Sequence, residues 1–280
     1  MLLRRVDSKW ICACALVVVS YALTAPSALS GGHAQASTRV AVNQRPEPFV
    51  WLIFIDDLHL NFPATGRLKN LLKTVFGQLV QEGDIVGVVS TGPSSIAIDL
   101  TRDRGTLAVA LDKFSGAGLK PSEIVRGLNG DTSEVRYRAH VAFSTAYGVM
   151  KMLASVRSPR QAFIYISNGY DIDIWPGGLR MGRVNPFTLQ RKAFSLEDVR
   201  DEVAELCAEA SRAKLPIYAI DPRDITGPRT ADPKLDEATW QNYLTTTRNS
   251  LRVIAEQTGG FLVDDELESG LVRIAAARGR

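Results

Sequence analysis

Short apolar runs alternate with amphipathic stretches along most of this chain. Phe49–Ile55 is continuously apolar and stops at Asp56, the mark of a strand covered on both faces. Leu68, Leu71, Leu72, Val75, Phe76, Leu79 and Val80 then recur at helical spacing. A second buried strand is predicted over Ile85–Ser90, a turn over Thr91–Ser94, and an alternating edge strand over Ser95–Leu100. Asp103–Phe114 reads as a short helix, and Ser115–Thr132, rich in Gly, as a loop. A long helix follows from about Ser133 to Arg157, with Ala139, Ala142, Phe143, Ala146, Met150 and Leu153 inward. Next come a strand over Gln161–Ser167 and an irregular insertion over Tyr170–Phe194. Ser195 caps a helix that reaches about Lys214, with Glu197 and Asp198 in its first turn. A strand over Pro216–Ile220, a loop, a helix over Glu237–Thr258, a strand over Phe261–Val263 and a helix over Leu267–Ala277 complete the order.

Buried strands alternating with amphipathic helices, with one hairpin edge, predict an α/β fold. The expected architecture has three layers: a doubly wound, mostly parallel sheet with one antiparallel edge strand, covered by helices on both faces. Such sheets bind ligands outside the carboxyl ends of their strands. Asp56–Asn61, Thr91–Ser94 and Asn168–Asp173 are therefore expected to meet there.

The first residues stand apart from this pattern. A basic start, an apolar run over Trp10–Ala25 and the ending Ala34-Gln35-Ala36 follow the order of a secretory signal peptide. Cleavage after Ala36 is expected, then a linker over 37–48 and one domain over 49–280. The apolar run is short of the roughly 20 residues of a spanning helix, although an uncleaved leader would anchor the chain to a membrane. A periplasmic or extracellular location follows from either outcome.

Composition changes the picture mainly by exclusion. The chain carries 33 Lys+Arg against 30 Asp+Glu. Removing Arg4, Arg5, Lys9 and Asp7 with the leader leaves 30 against 29, so charge makes no case for nucleic acid as partner. Cys207 is the one cysteine beyond the leader, which excludes an internal disulfide or a cysteine-ligated zinc. It lies on the stripe Val199, Val203, Leu206, Cys207, Ala210 and is expected to be a buried, inert thiol. The first turn, Asp56-Asp57-Leu58-His59-Leu60-Asn61, has no glycine for a phosphate to approach. It also lacks the second carboxylate of an Asp-x-Asp phosphatase, because Leu58 stands there.

Five segments in order carry a resemblance. They are Phe54–Leu60, Asp84–Gly92, Asp99–Arg104, Phe163–Asp171 and Tyr218–Arg223, with Thr258-Gly259-Gly260 before the last strand. Together they resemble the bacterial family of exported von Willebrand factor A (VWFA)-related domains. The resemblance implies that fold and a role in protein binding rather than catalysis. The wider fold holds Mg²⁺ or Mn²⁺ through Asp-x-Ser-x-Ser, a Thr and an Asp. Aligned here, Asp56 keeps the first position, Leu58 and Leu60 replace both serines, Asn168 replaces the Asp, and Thr132 is the nearest Thr. No cofactor is certain on this alignment.

A shift of one residue restores polar side chains at Asp57, His59 and Asn61. With Asp171 or Asp173 nearby these could hold a divalent cation, and His59 would favour one softer than Mg²⁺. The alternative is that Asp57 caps the following helix and His59 hydrogen-bonds locally. His140 is expected on the surface of its helix. The insertion offers Trp175, Arg180, Arg183 and Phe187, residue types that interface cores enrich, and reads as a recognition loop or as a cover. The expected function is a non-catalytic adhesion or scaffold module that binds a protein partner at the carboxyl-end face, through Asp56, Asp57 and this loop. Two other classes stay open: a metal-dependent hydrolase built on Asp56 and Asp57, and a structural envelope protein.

Overall fold

The first apolar run forms strand β1, Val50–Ile55, every residue of which is buried. Its period of two sends side chains alternately to two separate cores. Trp51, Ile53 and Ile55 enter one core, and Val50, Leu52 and Phe54 the other. The computed structural model describes residues 48–127, 132–156, 158, 160–172, 195–225 and 232–277. Around β1 stand β2 (Ile85–Ser90), β3 (Ala97–Thr101), β4 (Gln161–Ile166), β5 (Ile217–Ile220) and β6 (Leu262–Val263), in the order β3-β2-β1-β4-β5-β6. All neighbours are parallel except β2 and β3, which pair antiparallel. This is the expected α/β sheet with its antiparallel edge.

Helices α1 (Thr65–Leu79), α2 (Arg104–Asp112) and α8 (Leu267–Ala276) cover the face of Trp51, Ile53 and Ile55. Helices α4 (Ser133–Ser155), α5 (Leu196–Arg212) and α7 (Glu237–Gln257) cover the other. Both faces are thus shielded, as parallel strands require. Side-chain caps fix several helix starts: Asp103 on α2, Asp236 on α7, and Ser195 in a reciprocal capping box with Asp198 on α5. Pro46–Arg280 clusters as one unit.

Two short helices occupy stretches expected to be loops. Helix α3, Pro121–Arg126, opens on a proline, and α6, Pro222–Ile225, opens on another at the end of β5. Proline at the first helical position loses no hydrogen bond. Neither helix is long enough to show a periodic apolar face. At the amino end of β1, buried Asp84 accepts the Phe49 N–H at 3.2 Å, the Trp51 Nε1–H at 3.1 Å and the Gln81 N–H at 2.9 Å. One carboxylate thereby ties β1 to the turn before β2.

Candidate functional site

The backbone ladder continues one residue past β1, where the Asp56 N–H donates to the Ile166 carbonyl at 2.9 Å. Asp56 therefore falls on the same face as Phe54, among Tyr165, Phe143 and Tyr170. Its exposure is 0%. Four donors from three turns surround its carboxylate. His59 Nδ1 and Thr91 Oγ1 lie 2.9 and 3.0 Å from Oδ1; Ser167 Oγ and the Tyr170 hydroxyl lie 2.8 and 2.6 Å from Oδ2. Two donors per oxygen use the lone pairs of an ionised carboxylate. Burial alone pushes the Asp56 carboxyl up, but the His59 charge and the bonds from His59, Tyr170 and Ser167 outweigh it, and the group is held below its usual value.

The cluster extends inward and outward. The Tyr170 hydroxyl also hydrogen-bonds that of Tyr165, and both phenols are pushed far up, first by burial and then by the Asp56 charge. The His59 ring packs edge-on to Tyr170, with centroids 4.6 Å apart. Asp57, also fully buried, accepts the Ser94 N–H at 2.9 Å and the Thr91 hydroxyl at 2.9 Å. Thr91 has one hydroxyl proton, so it bridges the two carboxylates rather than satisfying both.

The rest of the turn is laced shut. Ala117 N–H donates to the Asp57 carbonyl at 2.7 Å, and Gly118 N–H to the Leu60 carbonyl at 2.9 Å. From α4, Arg138 Nη1 reaches the Ala117 carbonyl at 2.8 Å and the Leu58 carbonyl at 3.3 Å. The loop lies so close that a Cβ on Gly116 would stand 2.4 Å from the Leu60 oxygen. Gly169, at φ +77°, is equally constrained: its Cβ would stand 2.0 Å from the Thr247 carbonyl oxygen of α7.

The three turns expected to meet do meet, but the predicted ligands do not form one site. Asp57 does not cap α1, whose helical turn begins at Thr65; its oxygens face Ser94 and Thr91 instead. Asp56 and Asp57, expected to meet a partner at this face, are both completely buried. Thr132 lies before α4, where its hydroxyl accepts from Arg136, and Thr91 supplies the hydroxyl at Asp56. Asn61 and Asn168 line a separate groove. Asp171 lines a cavity of about 10 Å³ with His59 and Arg138, and burial pushes its carboxyl up. That volume suits a single water. Among the described residues no group of three or more His, Cys, Asp or Glu side chains is placed to hold a metal. Among the described residues, those around the first turn do not fit a divalent cation, because the carboxylate of Asp56 is filled by protein donors.

His140 is half-buried and pairs with Glu202 of α5 rather than standing free on the surface. Cys207 is buried, and burial pushes its thiol up to about 12. Asp173, Trp175, Arg180, Arg183 and Phe187 lie outside the described residues.

A groove of about 620 Å³ opens at the carboxyl ends of β1, β4 and β5. The chain leaves β1 for β2 on one side, and β4 continues the sheet on the other, so the groove sits beside the point where strand order reverses. Phe62, Pro63 and Arg67 form one wall, Lys120 and Pro121 another, and Lys234, Trp240 and Leu244 a third, with Asn168 and Arg223 at the strand ends. Trp240, Tyr243 and Leu244 form a small core with Ile124, Val125 and Leu235, which joins α3 to α7 beneath the groove. Arg223 is fixed by buried Asp221 through Nε at 2.9 Å and Nη2 at 2.7 Å, and its Nη1 donates to Thr247 Oγ1 at 2.8 Å. Arg248 closes on the same carboxylate at 3.1 Å. Phe62, by contrast, is 66% exposed. The sequence held one signal for this groove, an aromatic-proline pair directly after the first strand turn.

No protein-family profile and no curated protein matches the chain. Among solved structures, the pilus adhesin SpaC from Lactobacillus rhamnosus GG, in its open conformation, is similar at 14% identity and a TM-score of 0.47. The match covers 84% of this chain and 30% of the adhesin, so the chain spans under a third of that protein. Among the described residues no helix is long and apolar enough to cross a membrane.

Proposed function

We propose that this chain is an exported, non-catalytic protein-interaction module of the VWFA-related kind, and that it binds a protein partner in the groove at the carboxyl ends of β1, β4 and β5. One observation carries the reading. The 620 Å³ groove keeps the exposed Phe62 ring at its edge, while the neighbouring carboxylates are buried and hydrogen-bonded. An exposed aromatic beside a concave, partly apolar surface is what an interface core uses. The filled carboxylate of Asp56 offers no lone pair to activate a water or hold a metal, which favours binding over metal-dependent hydrolysis.

Site-specific photo-crosslinking tests this reading. A benzoylphenylalanine is placed at Phe62 and, in a separate protein, at the exposed Val109 of α2. Irradiation in cells of the host of origin should give a discrete covalent product from position 62 and none from position 109. No product at 62, or the same products from both positions, would overturn the proposal.

A further inference from the structure

The groove also has a charge, and the charge narrows the partner. Arg67 of α1, Lys120 before α3 and Lys234 before α7 are exposed at its rim. None of the three closes an ion pair among the described residues. Arg223 also lines the groove but is neutralised by Asp221. The one carboxylate on the described lining, Asp232, is buried and accepts the Ser122 N–H at 2.9 Å and the Lys234 N–H at 3.0 Å; its charge acts on Lys234 and offsets only one of the rim cations. The rim therefore presents an excess of positive charge around an apolar interior of Phe62, Pro63, Trp240 and Leu244.

Resting on the reading of this face as the interaction surface, we propose that the groove takes an acidic segment of the partner protein, anchored by a bulky apolar side chain. A volume of about 620 Å³ admits one or two large side chains and is of the size that encloses ligands. Carboxylates flanking the anchor meet Arg67, Lys120 and Lys234 at the rim, where each cation can form charge-assisted hydrogen bonds. Rim charges of this kind steer encounter and are screened by salt. A basic or neutral segment would leave the positive excess of the rim unmatched, and a purely polar one would leave the interior unfilled.

Selection from a phage-displayed library of random heptapeptides on the immobilised full chain tests the chemistry without a known partner. The recovered sequences should be net negative and carry at least one Trp, Phe, Leu or Met. A synthetic peptide of the consensus should bind with an affinity that falls at least about fivefold between low and physiological salt. The triple variant Arg67→Ser, Lys120→Ser, Lys234→Ser should weaken it about tenfold or more, and Phe62→Ser should do likewise. All four positions are exposed, and unchanged circular dichroism confirms that each variant folds. Recovery of neutral or basic sequences, no enrichment over the triple variant, or salt-independent binding would overturn the proposal. So would equally tight binding of indole-3-acetate, which would assign the groove to a small organic anion. A crosslink at position 62 together with neutral peptides would leave the interaction face standing and remove only its acidic preference.

Discussion

Replacing Asp56 removes the acceptor for four donors at once, and the cost follows from what each donor can do afterwards. Thr91 can turn wholly to Asp57, and His59, at the edge of the cluster, can reach water. Ser167 and Tyr170 are sealed from solvent. Tyr170 keeps Tyr165 as a partner, but Ser167 retains only the Gly169 N–H, which it accepts. A sealed donor left unpaired costs about 1–3 kcal/mol, and each hydrogen bond lost to a charged group costs about 1.5–3 kcal/mol. Asp56→Ala should therefore lose about 3–5 kcal/mol, a large part of the 5–15 kcal/mol typical of a domain. Asp56→Asn, which keeps the volume but points an amide N–H₂ at donors, should lose nearly as much. Urea unfolding at neutral pH, followed by circular dichroism, reads both. The folded carboxyl is held below its ordinary 3.8, so its contribution is present above that pH and is lost as pH falls through the depressed value. The gap between wild type and Asp56→Asn should accordingly close below about pH 3.8. A loss under about 1 kcal/mol at neutral pH would mean that the carboxylate is solvated, and would refute the hydrogen-bonded cluster.

Asp171→Asn makes the opposite case: burial pushes this carboxyl up, so the charged form is disfavoured in the fold, and thermal unfolding at neutral pH should show unchanged or slightly higher stability. Gly169→Ala should destabilise by about 2 kcal/mol or more, measured by urea unfolding, because the backbone is at φ +77° and the added methyl meets the Thr247 carbonyl. Asp221→Asn strips Arg223 of its buried carboxylate, while Arg248 keeps Asp224, and should cost about 3–5 kcal/mol in the same assay. Cys207, pushed up to about 12, should resist Ellman's reagent at pH 8 in the native protein and react at once in denaturant.

Much of the fold is legible along the chain because its signals are local and periodic. The run Phe49–Ile55 needs no partner to be read as a doubly covered strand, and Ser195 with Asp198 marks the start of α5. The meeting of the three turns follows from topology alone. The fate of Asp56 is different. A carboxylate at a strand end suggests solvent, yet the period of two that places Phe54 inward also places Asp56 inward. The donors that make this tolerable come from positions 59, 91, 167 and 170, and no spacing rule links them. Thr132 and Thr91 are both hydroxyls in loops, and only the paired register of β1 and β2 decides between them, since Ile55 stands opposite Ser90, one residue before Thr91. The groove is equally a tertiary object: Phe62, Lys120, Lys234 and Trp240 lie on separate elements.

Manganese titration of the isotope-labelled protein, followed by nuclear magnetic resonance, tests most directly whether protein donors have taken a cation's place at the first turn and left binding to the groove. With Asp56 filled by His59, Thr91, Ser167 and Tyr170, the amide signals of 56–61 and 167–171 should broaden no more than those elsewhere on the surface. Selective broadening of those two segments at stoichiometric Mn²⁺ would show a cation bound at Asp56 and contradict the proposed division between a closed turn and an open groove.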